Sequence, residues 1–221
     1  MKWKKVWKFI WNDNSLASWV VNVVLAIIII KFLIFPVLGL SLGTSYPIVA
    51  VVSCSMQHSP TNCWADCYMK SSGSLDDFKI CFNKQESLCG EPPKDDTYWG
   101  MCGKWYETNG ISENQFLEFS QKNGFNIGDI FVLKKAKNIK AGDTIIYDNK
   151  INNAPIIHRV VKIINEDGKV YYQTKGDYNP VSYSFESKIP EERIYGKVLL
   201  KVPYLGWLKI GLNMLLKFIG I

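Results

Sequence analysis

The sequence predicts a mainly β domain carried on an N-terminal transmembrane helix. Three features predict it. An apolar run extends from Trp19 to Leu42 with Lys31 as its only charge, short β-branched runs separated by turn residues fill the C-terminal half, and a cysteine-rich block lies between. The chain has 221 residues, 48% hydrophobic and 21% charged. That suffices for one ordinary domain plus membrane segments and is not the composition of a disordered chain.

Residues 1–15 are basic, with Trp3, Trp7 and Trp11 at four-residue spacing on one face of a helix, an arrangement suited to lipid headgroups. Leu16 to Phe35 then supplies the roughly 20 apolar residues that a helix needs to cross the hydrocarbon layer. Lys31 lies near enough to the end of the run to snorkel. The run is too long for a cleaved leader and no A-x-A site follows it. Lys2, Lys4, Lys5 and Lys8 assign the N-terminus to the cytoplasm and everything after Leu42 to the outer face. Pro36 and Gly39 are expected to end or kink the helix.

The net charge of +6 is unevenly spread: residues 57–125 carry ten acidic against six basic residues. The basic excess gathers toward the ends, including Lys201, Lys209 and Lys217, and points to an anionic membrane surface. No basic stripe crosses the middle, so nucleic acid is a poor partner.

After the anchor, the run from Pro47 to Val52 reads as a strand leading to a turn. Further strands are expected at 129–133 and 143–147, each introduced by Gly-Asp, then at 155–164, 169–176 and 194–202. Glu166-Asp167-Gly168 suits a hairpin turn. In the tail, Lys209, Asn213 and Lys217 share one face of an otherwise apolar helix; it reads as lying in the interface, a second crossing being the alternative. The organisation is therefore 1–15 basic segment, 16–42 anchor, 43–56 with 126–202 as the β domain, 57–125 as a cysteine-rich insertion, and 203–221 as a membrane-associated helix.

Three stretches carry chemistry: Ser53-Cys54-Ser55-Met56, Ile157-His158-Arg159-Val160, and Lys175-Gly176-Asp177-Tyr178-Asn179. Hydrolysis of a peptide bond by serine needs a hydroxyl, a base and a carboxylate to orient that base. The two histidines are His58 and His158. His158 sits in an apolar strand, where it reads either as packing or as a base suited to neutral pH. Asp177 taken alone is a turn residue after Gly176.

Together these stretches resemble the type I signal peptidases. Ser53 to Met56 is similar to the family's S-G-S-M box, and Gly142-Asp143-Thr144-Ile145-Ile146 to its G-D-I-V-V strand. His158-Arg159-Val160 stands where bacterial members have Lys-Arg-Val, and Thr174 to Asn179 resembles T-K-G-D-N-N. Histidine in place of lysine marks the archaeal and endoplasmic-reticulum branch. The resemblance covers about 48–56 and 127–202 and implies a signal-peptidase-like β fold. It makes Ser55 the nucleophile, His158 the general base and Asp177 the carboxylate that orients and supports it. The Ser55 backbone N–H, helped by the Ser53 hydroxyl, would stabilise the oxyanion. Signal-peptide-bearing preproteins are the implied substrates, bound as an added β-strand. A lipid membrane and, by analogy with the eukaryotic branch, a secretion translocon or accessory subunits are the implied partners. No cofactor and no metal ion are implied.

Cys54 replaces the usual glycine, which opens a minor cysteine-nucleophile reading. The family often carries a second Asp about six residues beyond the first; Ser182, Tyr183 and Ser184 stand there instead, and Glu186 is the nearest acid. His58, three residues after Ser55, is a rival base. In the insertion, Cys63, Cys67, Cys81, Cys89 and Cys102 are expected to form disulfides outside the cell, with a Cys-only zinc site as the alternative. The competing functions are a self-cleaving repressor-type protease and a non-catalytic membrane protein whose cysteine-rich ectodomain binds a partner.

Overall fold

A computed structural model describes residues 2–58, 89, 97–150, 155–208 and 210–211. The expected tail helix through Lys209, Asn213 and Lys217, and the cysteines Cys63, Cys67 and Cys81, lie outside the described residues. The chain divides into two compact units, Met1–Pro47 and Ile48–Ile221.

The first unit is helical. Helix α1 (Lys2–Asn12) carries Trp3, Trp7 and Trp11 exposed on one side. A short elbow follows, in which the Asp13 carboxylate accepts from the Ser15 N–H at 2.8 Å and Ser15 caps helix α2 (Leu16–Ile29). Ser18 and Asn22, polar residues in an apolar run, turn back on α1. Ser18 Oγ donates to the Phe9 carbonyl at 2.6 Å and Asn22 Nδ2 to that of Ile10 at 2.9 Å. They satisfy carbonyls that a helix C-terminus leaves unpaired.

Pro36 and Gly39 do not end this helix. It runs on through a π-helical turn (Ile30–Ile34) into α3 (Phe35–Leu42) and stops at Gly43, in the left-handed conformation at φ 65°. In the wider turn the Phe35 N–H reaches back to the Ile30 carbonyl. That widening just before the proline accommodates its missing donor without breaking the run. The result is 27 residues of continuous helix, Leu16–Leu42, the one span among the described residues long and apolar enough to cross a membrane.

The second unit is built on a seven-stranded antiparallel sheet in the order β1-β2-β7-β3-β4-β5-β6. The strands are β1 (Ile48–Ala50), β2 (Ile130–Lys134), β3 (Thr144–Asp148), β4 (Pro155–Glu166), β5 (Lys169–Lys175), β6 (Ile189–Pro190) and β7 (Ile194–Val202). The expected hairpin joins β4 and β5, with Glu166 opposite Lys169. Asp167 and Gly168 both take positive φ, at 50° and 72°, the conformation a tight two-residue hairpin requires.

β3 is central and buried on both faces, so its run of apolar residues shows no alternation. Ile145 and Tyr147 pack with Val160, Tyr172 and Ile189 on one side. Ile146 packs with Val51, Met56, Phe125, Phe131 and Leu133 on the other. Met56 therefore anchors the residue after Ser55 in the core.

Part of the insertion is folded onto this sheet. Helix α4 (Tyr98–Thr108) is capped by Thr97 and helix α5 (Glu113–Leu117) by a Ser112/Gln115 capping box. Tyr106, Ile111 and Phe116 pack with Val161 of β4. Cys89 and Cys102 form a disulfide and Cys54 is also held in one. For Cys89 and Cys102 the disulfide expectation holds over zinc ligation.

Phe131 is fully buried and meets Phe125 edge-on at 4.6 Å between ring centres. Truncation to alanine is expected to cost about 3–5 kcal/mol. Urea unfolding of the full chain in mild detergent measures it. Leu117→Ala, at a half-exposed site, should stay within about 0.5 kcal/mol of the parent.

Candidate active site

β1 leaves the sheet edge at Ala50 and leads into an extended stretch held by Val51, whose N–H donates to the Asp129 carbonyl and whose own carbonyl accepts from Gly128. A turn at Ser55-Met56 follows. It is closed by the Gln57 N–H on the Cys54 carbonyl at 2.9 Å and tied down by the Phe125 N–H on the Met56 carbonyl at 3.0 Å. Ser55 is partly exposed on this turn. Its hydroxyl lies 3.4 Å from that of the exposed Ser53.

His158 comes from the middle of β4, opposite Ile145 and buried. Arg159, the next residue, pairs with Lys175, which places His158 beside the turn that follows β5. At that turn Gly176 has no room for a side chain. A Cβ there would stand 2.8 Å from both the His158 Nε2 and the Ser55 carbonyl oxygen. The imidazole and the serine turn thus converge on one glycine.

The other imidazole nitrogen, Nδ1, is hydrogen-bonded to the Glu186 carboxylate. Glu186 is fully buried at the end of a short 3-10 turn (Ser184–Glu186). The Tyr183 N–H donates to its Oε2 at 2.9 Å and the Thr174 hydroxyl to its Oε1 at 3.2 Å. Burial and the charge of Glu186 raise the pKa of the adjacent Tyr147 phenol, which keeps that hydroxyl protonated.

Asp177 is also fully buried, but its carboxylate is engaged elsewhere. It accepts from His58 Nε2 at 2.7 Å, from Arg159 Nε at 2.9 Å and Nη2 at 2.7 Å, and from the Tyr106 hydroxyl at 2.9 Å. Burial alone would raise its pKa; the Arg159 charge and the bonds from His58 and Arg159 outweigh that and hold it well below the usual carboxylate range. Arg159 spends its remaining donors on the carbonyls of Ser120, Gln121 and Gly142, so each of its N–H groups has a partner. Its guanidinium also lies 5.1 Å from the centre of the Phe116 ring.

Lys175 is buried as well. Its ammonium donates to the carbonyls of Gly176 and Asp177 and lies over the rings of Trp105 and Tyr106. Burial lowers its pKa to about 8, against the opposing pull of Asp177 and Glu186. The disulfide at Cys54 leaves no thiol there to act as nucleophile.

Of the residues singled out in the sequence, Ser55 and His158 meet at Gly176, with Ser53 beside the Ser55 hydroxyl and Glu186 behind the imidazole. Asp177 and His58 form a second pair alongside. Sequence reasoning gave no role to Tyr98, Tyr106, Tyr147, Thr174 or Lys175. Only Thr174 and Lys175 carried any signal, as neighbours in the box that ends at Asn179.

No family model matches the chain. Signal peptidase complex catalytic subunits do. SEC11 of Plasmodium falciparum is 30% identical over 107 residues, 44% of this chain and 56% of that one. SEC11 of Komagataella phaffii is 34% identical over 106 residues, 42% and 62% respectively. Human SEC11C is 28% identical over 110 residues, 46% and 57%. The chain thus spans little more than half the length of the curated relatives it matches.

Replacing Asp177 by Asn would strand a buried guanidinium, at an expected cost of about 3–5 kcal/mol. The pH sign follows from the depressed pKa. The unfolded chain takes up the proton at its ordinary value of 3.8 and the folded chain only lower, so this stabilisation is complete above that value and erodes as pH falls through it. Unfolding midpoints between pH 7 and pH 3 should fall more steeply for the parent than for Asp177→Asn.

Proposed function

We propose that this chain, a relative of the signal peptidase complex catalytic subunits, is a membrane-anchored serine endopeptidase that removes signal peptides from exported preproteins. The observation that carries the reading is a buried histidine with a carboxylate on Nδ1 and its Nε2 facing the same glycine as the Ser55 backbone. Such a histidine has its tautomer set: Nδ1–H donates to Glu186, and Nε2 is left as the acceptor that can take a proton from a serine.

In the proposed reaction the Ser55 hydroxyl attacks the scissile carbonyl while His158 removes its proton and then passes it to the leaving amine. Water, activated by the same imidazole, releases the acyl group. The Ser55 N–H, with the Ser53 hydroxyl beside it, faces the oxyanion. Glu186 takes the place behind the imidazole that the resemblance gave to Asp177. Asp177 instead holds the surrounding loops together through Arg159, His58 and Tyr106.

The substrate is read as a strand added at β1. That strand is the edge of the sheet and runs directly toward Ser55, so a peptide paired with it would be led to the nucleophile. The anchor is read as 16–42 with the N-terminus cytoplasmic and the β domain on the outer face. Preproteins, the lipid membrane and accessory subunits or a secretion translocon are its proposed partners. A non-catalytic ectodomain would have no use for a glutamate-oriented histidine beside a serine turn.

Ser55→Ala and His158→Ala are each expected to lower preprotein cleavage by at least about 10³-fold. Glu186→Gln should lower kcat on the order of 10²- to 10⁴-fold with little change in KM, because it removes orientation and charge support and not substrate contacts. Mass spectrometry of a preprotein incubated with the purified full chain in detergent measures all three. Undiminished cleavage by Ser55→Ala would end the assignment.

A further inference from the structure

The turn that carries Ser55 is stitched to the turn after β5 by successive bonds. The Tyr178 N–H donates to the Ser55 carbonyl at 2.8 Å and the Asp177 N–H to Met56 Sδ at 3.2 Å. His58 Nε2 meets the Asp177 carboxylate at 2.7 Å. The first uses backbone alone. The last depends on a side chain three residues from the proposed nucleophile, and that side chain is itself held by the insertion.

His58 stacks on Tyr98 of α4, ring centres 3.5 Å apart and planes within 5°. The Tyr98 hydroxyl donates to the Asp177 carbonyl at 2.8 Å, so one tyrosine grips both members of the pair. Tyr106, two turns along the same helix, donates to the Asp177 carboxylate. Behind His58 the chain closes at Gly124, where a Cβ would stand 2.5 Å from the imidazole. An ionised carboxylate only accepts, so His58 Nε2 carries the proton and serves as donor. The ionisable groups facing the ring are Asp177 and Tyr98, with Arg159 and Tyr106 on the far side of the carboxylate.

We propose that His58, Tyr98 and Tyr106 form a clamp that fixes the Ser55 turn through Asp177, making α4 of the insertion a positioning part of the catalytic unit. The proposal rests on Ser55 being the nucleophile. His58 is a positioning residue, not the base, because its Nε2 is occupied at Asp177 while His158 Nε2 faces the Ser55 backbone. A displacement of about 1 Å at a nucleophile can cost on the order of 10²-fold in rate, so a clamp this close governs turnover more than affinity.

The test uses the full chain in detergent, a preprotein substrate and three variants. His58→Phe keeps the stack on Tyr98 and deletes the donor, His58→Gln keeps a donor at similar reach, and Tyr98→Phe keeps the stack and deletes the bond to the Asp177 carbonyl. The expected result is a kcat lowered about 10- to 100-fold in His58→Phe and by less in Tyr98→Phe, with KM within about threefold. His58→Gln should recover most of the lost rate, and its kcat/KM should depend on pH as the parent's does. Wild-type kcat in His58→Phe, a rise in KM alone, or a His58→Gln variant as inactive as His158→Ala would each overturn the clamp. If the parent itself does not cleave, the proposed function fails separately, and hydrogen exchange over residues 53–58 judges the clamp without activity. Faster exchange in His58→Phe but not in His58→Gln sustains it; equal exchange in all three overturns it.

Discussion

The second unit depends on one buried cation. Arg159 projects from β4 with no exposure, and its donors reach three separate parts of the chain: Ser120 and Gln121 beyond α5, Gly142 before β3, and Asp177 after β5. A guanidinium can be taken out of water only when such a set is complete. Its burial therefore demands that the insertion, the β3 entry and the β5 exit all be in register at once. The ion pair adds little net stability over an apolar core of equal size, but it admits a single arrangement of those segments. Placing His158 immediately before Arg159 puts the imidazole in the most tightly specified part of the sheet.

The two carboxylates are divided by their surroundings. Asp177 is saturated by a cation, an imidazole and a phenol, which keeps it ionised. Glu186 has neutral donors, the Thr174 and Tyr147 hydroxyls and a backbone N–H, together with the imidazole. A carboxylate already neutralised by a fixed guanidinium would respond weakly to charge developing on a neighbouring histidine. Glu186 binds no guanidinium, and the buried Lys175 ammonium that feels its charge bonds to carbonyls instead. The carboxylate therefore keeps its hydrogen bond to the imidazole.

Much of this was legible in the sequence, because the signals were local. The β4–β5 hairpin is written in Asp167-Gly168, the Gly-Asp pairs mark the entries to β2 and β3, and the membrane run is plain from Leu16 onward. What the sequence hid was non-local. Nothing near Tyr106 announces that its hydroxyl meets Asp177, 71 residues away. His58 reads in the sequence only as a rival base, since spacing along the chain says nothing of a partner brought in from the turn after β5. Nor does Pro36 announce that the helix runs on past it, since the π turn just before it is not written in the sequence.

Glu186 is the most instructive case, since family spacing pointed to an aspartate nearer Asp177. Here the segment between is longer, and a 3-10 turn closed by the Glu186 N–H on the Tyr183 carbonyl brings the carboxylate back toward β4. A glutamate has one methylene more than an aspartate, and with the turn placed farther along the chain that extra reach delivers the carboxylate to the imidazole. The turn, more than the spacing from Asp177, decides which carboxylate meets His158 Nδ1, and neither residue type nor spacing alone encodes that meeting.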